Sequence, residues 1–306
     1  MIYIVYGENS YAQQQKMREL IGVAEKKYGQ HSIEKYDGET LEVSQLTDIF
    51  QGATLFSPHK LVVIKHAGKN KTLWAALENW LDTIPTDVDV IFAESAVDKR
   101  TKTFKQLQKK AATEECKLLT PPEAIKWLIK EAKQKDVPLT NQLATKLVDR
   151  AGTDQWRLAN ELDKLVVHGE ITEALIDTLV EQTTEANVFA LLDAVLHKKT
   201  DLAKNLLQDA KPTEDPYMLF GLLASNVSQL AALVYAAGKP IDVIAKELGT
   251  HPFPLRKLQS LADRTSKNEV RMIVEIVATA DERMKTTGID PWLLLEEALV
   301  KIANRN

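Results

Sequence analysis

The chain has 306 residues, long enough to bury more than one hydrophobic core. Hydrophobic residues make up 44% and charged residues 27%, a globular balance, and the net charge of −4 argues against a surface built wholly for nucleic acid. A single cysteine, Cys116, excludes an internal disulfide and a cysteine-based zinc cluster, and the six histidines lack ligand spacing such as i, i+4.

Ile2 to Tyr6 reads as a short apolar strand ending at Gly7, and Tyr11 to Tyr28 as a helix that Asn9 or Ser10 can cap. Ile33 to Tyr36 is a second strand, closed by the turn pair Asp37-Gly38. Leu46, Ile49 and Phe50 share one face of a short helix. Leu61 to Ile64 is an unbroken β-favouring run, the pattern of a strand covered on both faces. Leu73 to Ile84 is an amphipathic helix, Val88 to Ala93 another buried strand, and Lys102 to Ala112 a helix with a basic outer face. Lys117 to Leu119 is expected to complete a fifth strand. Strands alternating with helices imply a parallel sheet with crossover helices.

After Pro121-Pro122 no comparable strand signal recurs. Helices are expected at residues 123–133, 140–151, 155–168 and 172–181, punctuated by Pro138, Gly152 and Gly169. Beyond residue 185 they follow at 188–197, 201–210, 217–237, 241–248, 254–265, 267–286 and 291–303. The fold class is therefore α/β followed by all-α, in three domains: residues 1–120, 121–184 and 185–306. No apolar run of membrane-spanning length stands out, and the N-terminus lacks the basic flank of a signal peptide, so a cytoplasmic protein with no membrane partner is expected.

Between the short helix and the Leu61–Ile64 strand lies Gln51-Gly-Ala-Thr-Leu55-Phe56-Ser57-Pro58. Pro58 breaks a helix arriving from upstream, leaving two large hydrophobes at a helix-to-loop junction. From these residues alone two readings stand. Leu55 and Phe56 fold back into the core, as most such side chains do, or they are held out for a partner.

A strand–loop–helix opening invites a phosphate-loop test. Such a loop needs Gly-x-x-x-x-Gly-Lys-Ser/Thr, because backbone amides cradle phosphate, the lysine neutralises it and the hydroxyl holds magnesium. Residues 7–14 read Gly-Glu-Asn-Ser-Tyr-Ala-Gln-Gln and lack the second glycine, the lysine and the hydroxyl. The Val90–Ala93 strand ends in Glu94-Ser95, with one carboxylate where a magnesium site needs an acidic pair. Nucleotide hydrolysis is not supported. Glu114 and Glu115 beside Cys116 raise rather than lower a thiol pKa, and no Gly-x-Ser-x-Gly elbow exists. No catalytic residue, cofactor or metal is expected. Lys99, Arg100, Lys102, Lys105, Lys109 and Lys110 form a basic stretch, readable as an ordinary solvated face or as a phosphate-contacting one.

Several short pieces, in order, carry a family likeness. They are Tyr6-Gly7-Glu8 after strand one, Leu55-Phe56-Ser57 before the buried strand, Asp98-Lys99-Arg100 with Lys102, and Trp127. Asn160-Glu161-Leu162 with Lys164-Leu165, Phe189 with Asp193-Ala194, and His251-Pro252-Phe253 with Leu255-Arg256-Lys257-Leu258 follow, then Asp281, Lys285, Gly288 and Leu295-Glu296. With these the chain resembles the delta subunits of the bacterial DNA polymerase III clamp loader along essentially its full length. The resemblance implies an AAA+-like parallel-sheet domain that has lost its phosphate loop, a small helical lid and a helical collar. It implies a subunit of a DNA polymerase holoenzyme that binds and helps open the sliding clamp (beta) for loading onto primed DNA, without hydrolysing ATP itself. The family's hydrophobic plug carries over onto Leu55 and Phe56, with Gln51 opening a Gln-x-x-x-Leu-Phe arrangement. Implied partners are the clamp, the gamma/tau and delta prime subunits through the collar, and DNA weakly or only within the complex, with Lys99, Arg100, Lys102 and Lys105 as DNA-contacting candidates. The Gly-x-x-Arg sensor of nucleotide-binding relatives and the Ser-Arg-Cys finger are both absent. The competing readings are a degenerate AAA+ ATPase and a DNA-binding helical scaffold.

Overall fold

A computed structural model describes residues 1–51, 59–236, 238–250 and 252–305. Five strands form one parallel sheet: β1 (Ile2–Tyr6), β2 (Ile33–Asp37), β3 (Lys60–Lys65), β4 (Val88–Glu94) and β5 (Ala112–Glu115), in the order β2-β3-β4-β1-β5. This is the parallel sheet with crossover helices expected. Ile4 sits in register with Phe92 on one side and Thr113 on the other.

The strand residues alternate between two apolar layers, as a period of two requires. Ile4, Val62, Ile64, Val90 and Phe92 face one layer, and Val5, Leu61, Val63 and Ile91 the other. Helix α1 (Ser10–Tyr28) covers the second layer with Met17 and Ala24. The first layer is covered by the short α2 (Leu46–Ile49), by α3 (Lys71–Trp80) through Leu73, Trp74 and Leu77, and by α4 (Lys102–Lys110) through Phe104 and Leu107. The helix starts follow capping chemistry: Asn9, Asn70 and Thr101 each accept a first-turn amide.

The fifth strand departs from expectation. It is Ala112–Glu115, not Lys117–Leu119, and all four of its residues are exposed. An edge strand paired only to β1 needs no apolar run, so hydrophobic patterning cannot find it. Pairing continues one residue further, where the Cys116 amide donates to the Tyr6 carbonyl at 2.7 Å.

The remaining helices are α5 (Pro121–Gln134), α6 (Asn141–Ala151), α7 (Gln155–Val166), α8 (Glu173–Leu179), α9 (Thr184–Leu196), α10 (Thr200–Ala210), α11 (Pro216–Tyr235), α12 (Ile241–Leu248), α13 (Pro252–Ala262), α14 (Lys267–Thr286) and α15 (Pro291–Ala303). The described residues divide into two compact units. Residues 1–119 with 153–156 form one, and residues 120–152 with 157–306 the other.

In the second unit one apolar core joins α9, α10, α11, α12, α13, α14 and α15, with Leu191, Leu223, Ile244, Leu255, Ile273 and Leu295 among its buried residues. By length and hydropathy α11 is long and apolar enough to cross a membrane, contrary to expectation. Its Leu219, Phe220, Leu223, Val227 and Leu230 are spent in that core instead. Around α8, cations meet the carbonyls of the C-terminal end: Arg150 donates to Asp177 and Val180, and Lys164 to Leu179. Positive charge at that end of a helix dipole is stabilising. Arg305 is buried and donates to the Val195, Leu196 and Ile302 carbonyls, closing the ends of α9 and α15.

Gly7 is a position where a glycine is required. Its φ is +134°, and a Cβ there would lie 2.2 Å from the Cys116 carbonyl oxygen. Gly7→Ala is expected to destabilise the first unit by about 3 kcal/mol or more, from strain and clash together. A lower urea midpoint for that unit, with the second unit's transition unmoved, is the measurement that checks it.

Candidate functional site

A phosphate loop holds its ligand at the head of the helix that follows the first strand, since free amides and the helix dipole converge there. Here those donors are used within the chain. The Gly7 amide donates to the Glu94 carbonyl at 3.0 Å and the Asn9 amide to the Cys116 carbonyl at 3.1 Å, while the Gln13 amide makes the first regular turn bond of α1, to the Asn9 carbonyl at 3.0 Å. The Asn9 side chain is buried and fully engaged. Its Oδ1 accepts from the Ala12 amide at 3.0 Å, and its Nδ2 donates to the Lys117 carbonyl at 2.9 Å and to Gln155 Oε1 at 2.6 Å. Gln13, at the position of the phosphate-loop lysine, donates to the Gly7 and Glu94 carbonyls. Trp156 donates from Nε1 to Ser10 Oγ at 3.0 Å and meets the Tyr11 ring edge-on, centroids 5.0 Å apart. The missing phosphate-loop residues are thus replaced by internal contacts.

Neither strand end offers a magnesium pair. β3 ends in Lys65, and β4 ends in Glu94, which is buried. Glu94 Oε2 accepts the Gly68 amide at 3.0 Å. Burial outweighs that hydrogen bond, the one from Ala67 and the pull of Lys69, and raises the carboxyl pKa to about 7. Nearby, oxygens of Asp37 and Glu39 and a ring nitrogen of His66 lie within 4.8 Å of one another. Lys69 already pairs with Glu39 at 3.1 Å, and His66 lies 3.5 Å from Asp37. Cys116 is buried, and its thiol pKa is pushed up to about 11 by burial first and by Glu114 second. Both effects disfavour the thiolate, and burial rather than the neighbouring charge dominates.

Leu55 and Phe56 lie outside the described residues. Their flanks are described. Phe50 is buried against Trp80, and Gln51 is exposed, its amide donating to the Asp48 carbonyl. On the far side, the His59 ring stacks on Tyr28 at 4.1 Å and sits 3.1 Å from Asp89, while buried Lys60 pairs with Glu34 at 2.7 Å.

The basic stretch separates into two groups. Lys99 pairs with Glu115 at 2.8 Å and lies over the Tyr6 ring. Arg100 turns both arms onto Asp98, holding that carboxyl at about 2. Lys110 pairs with Asp82. Lys102, Lys105 and Lys109 are exposed on α4, opposite its buried Thr103, Phe104 and Leu107. Their i, i+3, i+7 spacing puts them on one face.

Sequence reasoning missed Gln155 and Trp156. They stand 146 residues from Asn9 and Ser10, and nothing local marks them as neighbours of the first loop.

A family model described as DNA polymerase III, delta subunit matches residues 3–117, and one described as DNA polymerase III delta subunit, C-terminal domain matches residues 185–302. The chain is 26% identical to the DNA polymerase III subunit delta of Bacillus subtilis (strain 168), over 100% of this chain and 93% of the relative. The solved structure of the Bacillus subtilis DNA clamp loader delta protein aligns with a TM-score of 0.66 at 25% identity, covering 99% of this chain and 95% of that one.

The Glu94 geometry sets a pH dependence. Its folded pKa is raised from 4.5 to about 7, so the folded state binds more protons across that window. The contribution is full below the unfolded value and is lost as pH rises through the folded one. Glu94→Gln is expected to flatten the fall in thermal midpoint of the first unit between pH 5 and 8, read by calorimetry of wild type and variant.

Proposed function

The chain belongs to the DNA polymerase III delta-subunit family, and from this premise we propose that it binds the sliding clamp (beta) and favours the open ring for loading onto primed DNA. Its function is that of a clamp-loader subunit, working within a clamp-loader complex. The observation that carries the reading is likeness to a clamp loader delta protein over nearly the whole of both chains. A head of α1 filled by the chain's own side chains agrees with a subunit that does not hydrolyse ATP itself.

The clamp-binding residues in this reading are Leu55 and Phe56, with Gln51 at the entry. The Gln-x-x-x-Leu-Phe arrangement supports them, as does their place between buried Phe50 and the buried start of β3. Burying a leucine and a phenylalanine in a partner's apolar pocket offers about 1.5–3 kcal/mol each. Paired anchors of this kind are what hot spots are made of. A fixed anchor opens a ring if it binds the open geometry better than the closed one, since a ligand shifts an equilibrium by its differential affinity.

In the same reading residues 1–120 are the clamp-binding domain, residues 121–184 the lid, and residues 185–306 a collar that joins the gamma/tau and delta prime subunits, in the cytoplasm. DNA contact is weak or confined to the assembled loader. Of the candidates Lys99, Arg100, Lys102 and Lys105, the last two carry it best, because the first two are committed to Glu115 and Asp98. Lys109 extends their face.

Phe56→Ala is expected to weaken clamp binding by about 2–4 kcal/mol with thermal stability unchanged, measured by surface plasmon resonance against the clamp of the same organism. Unaltered affinity in the double variant Leu55→Ala, Phe56→Ala would remove the reading. For DNA, Lys102→Ala with Lys105→Ala in the assembled loader is expected to reduce the slope of log affinity against log salt by about 2. An unchanged slope on primed DNA would leave α4 as an ordinary solvated face.

A further inference from the structure

Residues 153–156 lie far along the chain from residues 1–119, yet they form one compact unit with them. Gln155 and Trp156, the first residues of α7, are what hold them there. Gln155 is buried and takes one of the two Asn9 Nδ2 hydrogens at 2.6 Å. Trp156 places its indole N–H on Ser10 and its ring against Tyr11. All of these partners belong to the loop and first turn of α1, where a phosphate loop holds its ligand.

We propose that Thr153–Trp156 is a strap, a resident occupant of the nucleotide position that locks the first unit in one arrangement whatever the nucleotide supply. Its hinge of recognition is the Asn9 amide. Oδ1 caps α1, one Nδ2 hydrogen ties the Lys117 carbonyl behind β5, and the other ties Gln155. An entering phosphate would have to take the Asn9 Nδ2 hydrogen from Gln155 and leave the buried Gln155 Oε1 without its donor, which costs more than a missing contact. Loss of the phosphate-loop residues and occupation by the strap are therefore two separate barriers to nucleotide. The strap uses neither Leu55 nor Phe56 and stands apart from the clamp-binding reading.

Arg157, next to the strap, is a tryptic site that reports on its release. Asn9→Ser keeps a capping oxygen for α1 but deletes the Nδ2 donor, and Gln155→Ala removes the acceptor. In the full-length protein under native conditions, each variant is expected to raise the rate of tryptic cleavage after Arg157 about tenfold, followed by mass spectrometry. Because the two side chains act on each other, the double variant should cleave no faster than the faster single variant. Magnesium ATP at millimolar concentration should leave the wild-type rate where it was. Wild-type rates unchanged by Gln155→Ala, multiplicative effects in the double variant, or a wild-type rate altered by ATP would each overturn the proposal. Should Asn9→Ser fail to fold, Gln155→Ala and the ATP arm still decide it.

Discussion

The close approach of the Cys116 carbonyl to Gly7 is the contact on which the first unit depends. Only a residue without a Cβ, at a φ of +134°, leaves room for that oxygen. The same oxygen accepts the Asn9 amide, and the Cys116 amide reaches back to Tyr6. This holds the polar edge strand β5 against β1, although none of the four β5 residues buries a side chain. Asn9 then reads the next carbonyl, Lys117, and passes the contact on to Gln155. One glycine thus organises strand pairing, the cap of α1 and the seat of a distant segment.

That arrangement fills the head of α1 with partners from the chain itself. In a phosphate-binding protein the loop amides are left for the ligand, and the bound form supplies their partners. Here the Gly7 and Asn9 amides find their acceptors in the Glu94 and Cys116 carbonyls, and the Ala12 amide in Asn9 Oδ1. Gln13, in place of a lysine, donates to two backbone carbonyls instead of to phosphate. Burying Glu94 at the end of β4, with its pKa raised to about 7, removes a metal ligand from solvent. The end of the sheet beside α1 is thus closed by internal hydrogen bonds.

The second unit is built on different terms. From Val188 to Ala303 one continuous apolar cluster joins the helices, and cations on carbonyl oxygens close helix ends within the unit. Arg150 and Lys164 around α8, and Arg305 between α9 and α15, satisfy groups that a helix end leaves open. Lys257 pairs with Asp149 at 2.7 Å and lies over the rings of Phe189 and Phe253, joining α6, α9 and α13 by charge and stacking as well as by apolar packing.

Periodicity was enough to locate β1, β3 and β4, because a strand covered on both faces is apolar along most of its length. It located most helices to within a few residues, because Asn9, Ser266, Pro291 and similar residues mark their starts chemically. The missing phosphate loop was legible for the same reason, since that chemistry demands particular residues at fixed spacing. Polar β5 was not legible, because pairing with β1 rather than its own composition makes it a strand. The engagement of Lys99 and Arg100 depended on where Glu115 and Asp98 came to rest. The filling of the α1 head by Gln155 and Trp156 was likewise decided only in three dimensions: contacts between residues 146 positions apart carry no local pattern, and their energy exists only once the chain has folded.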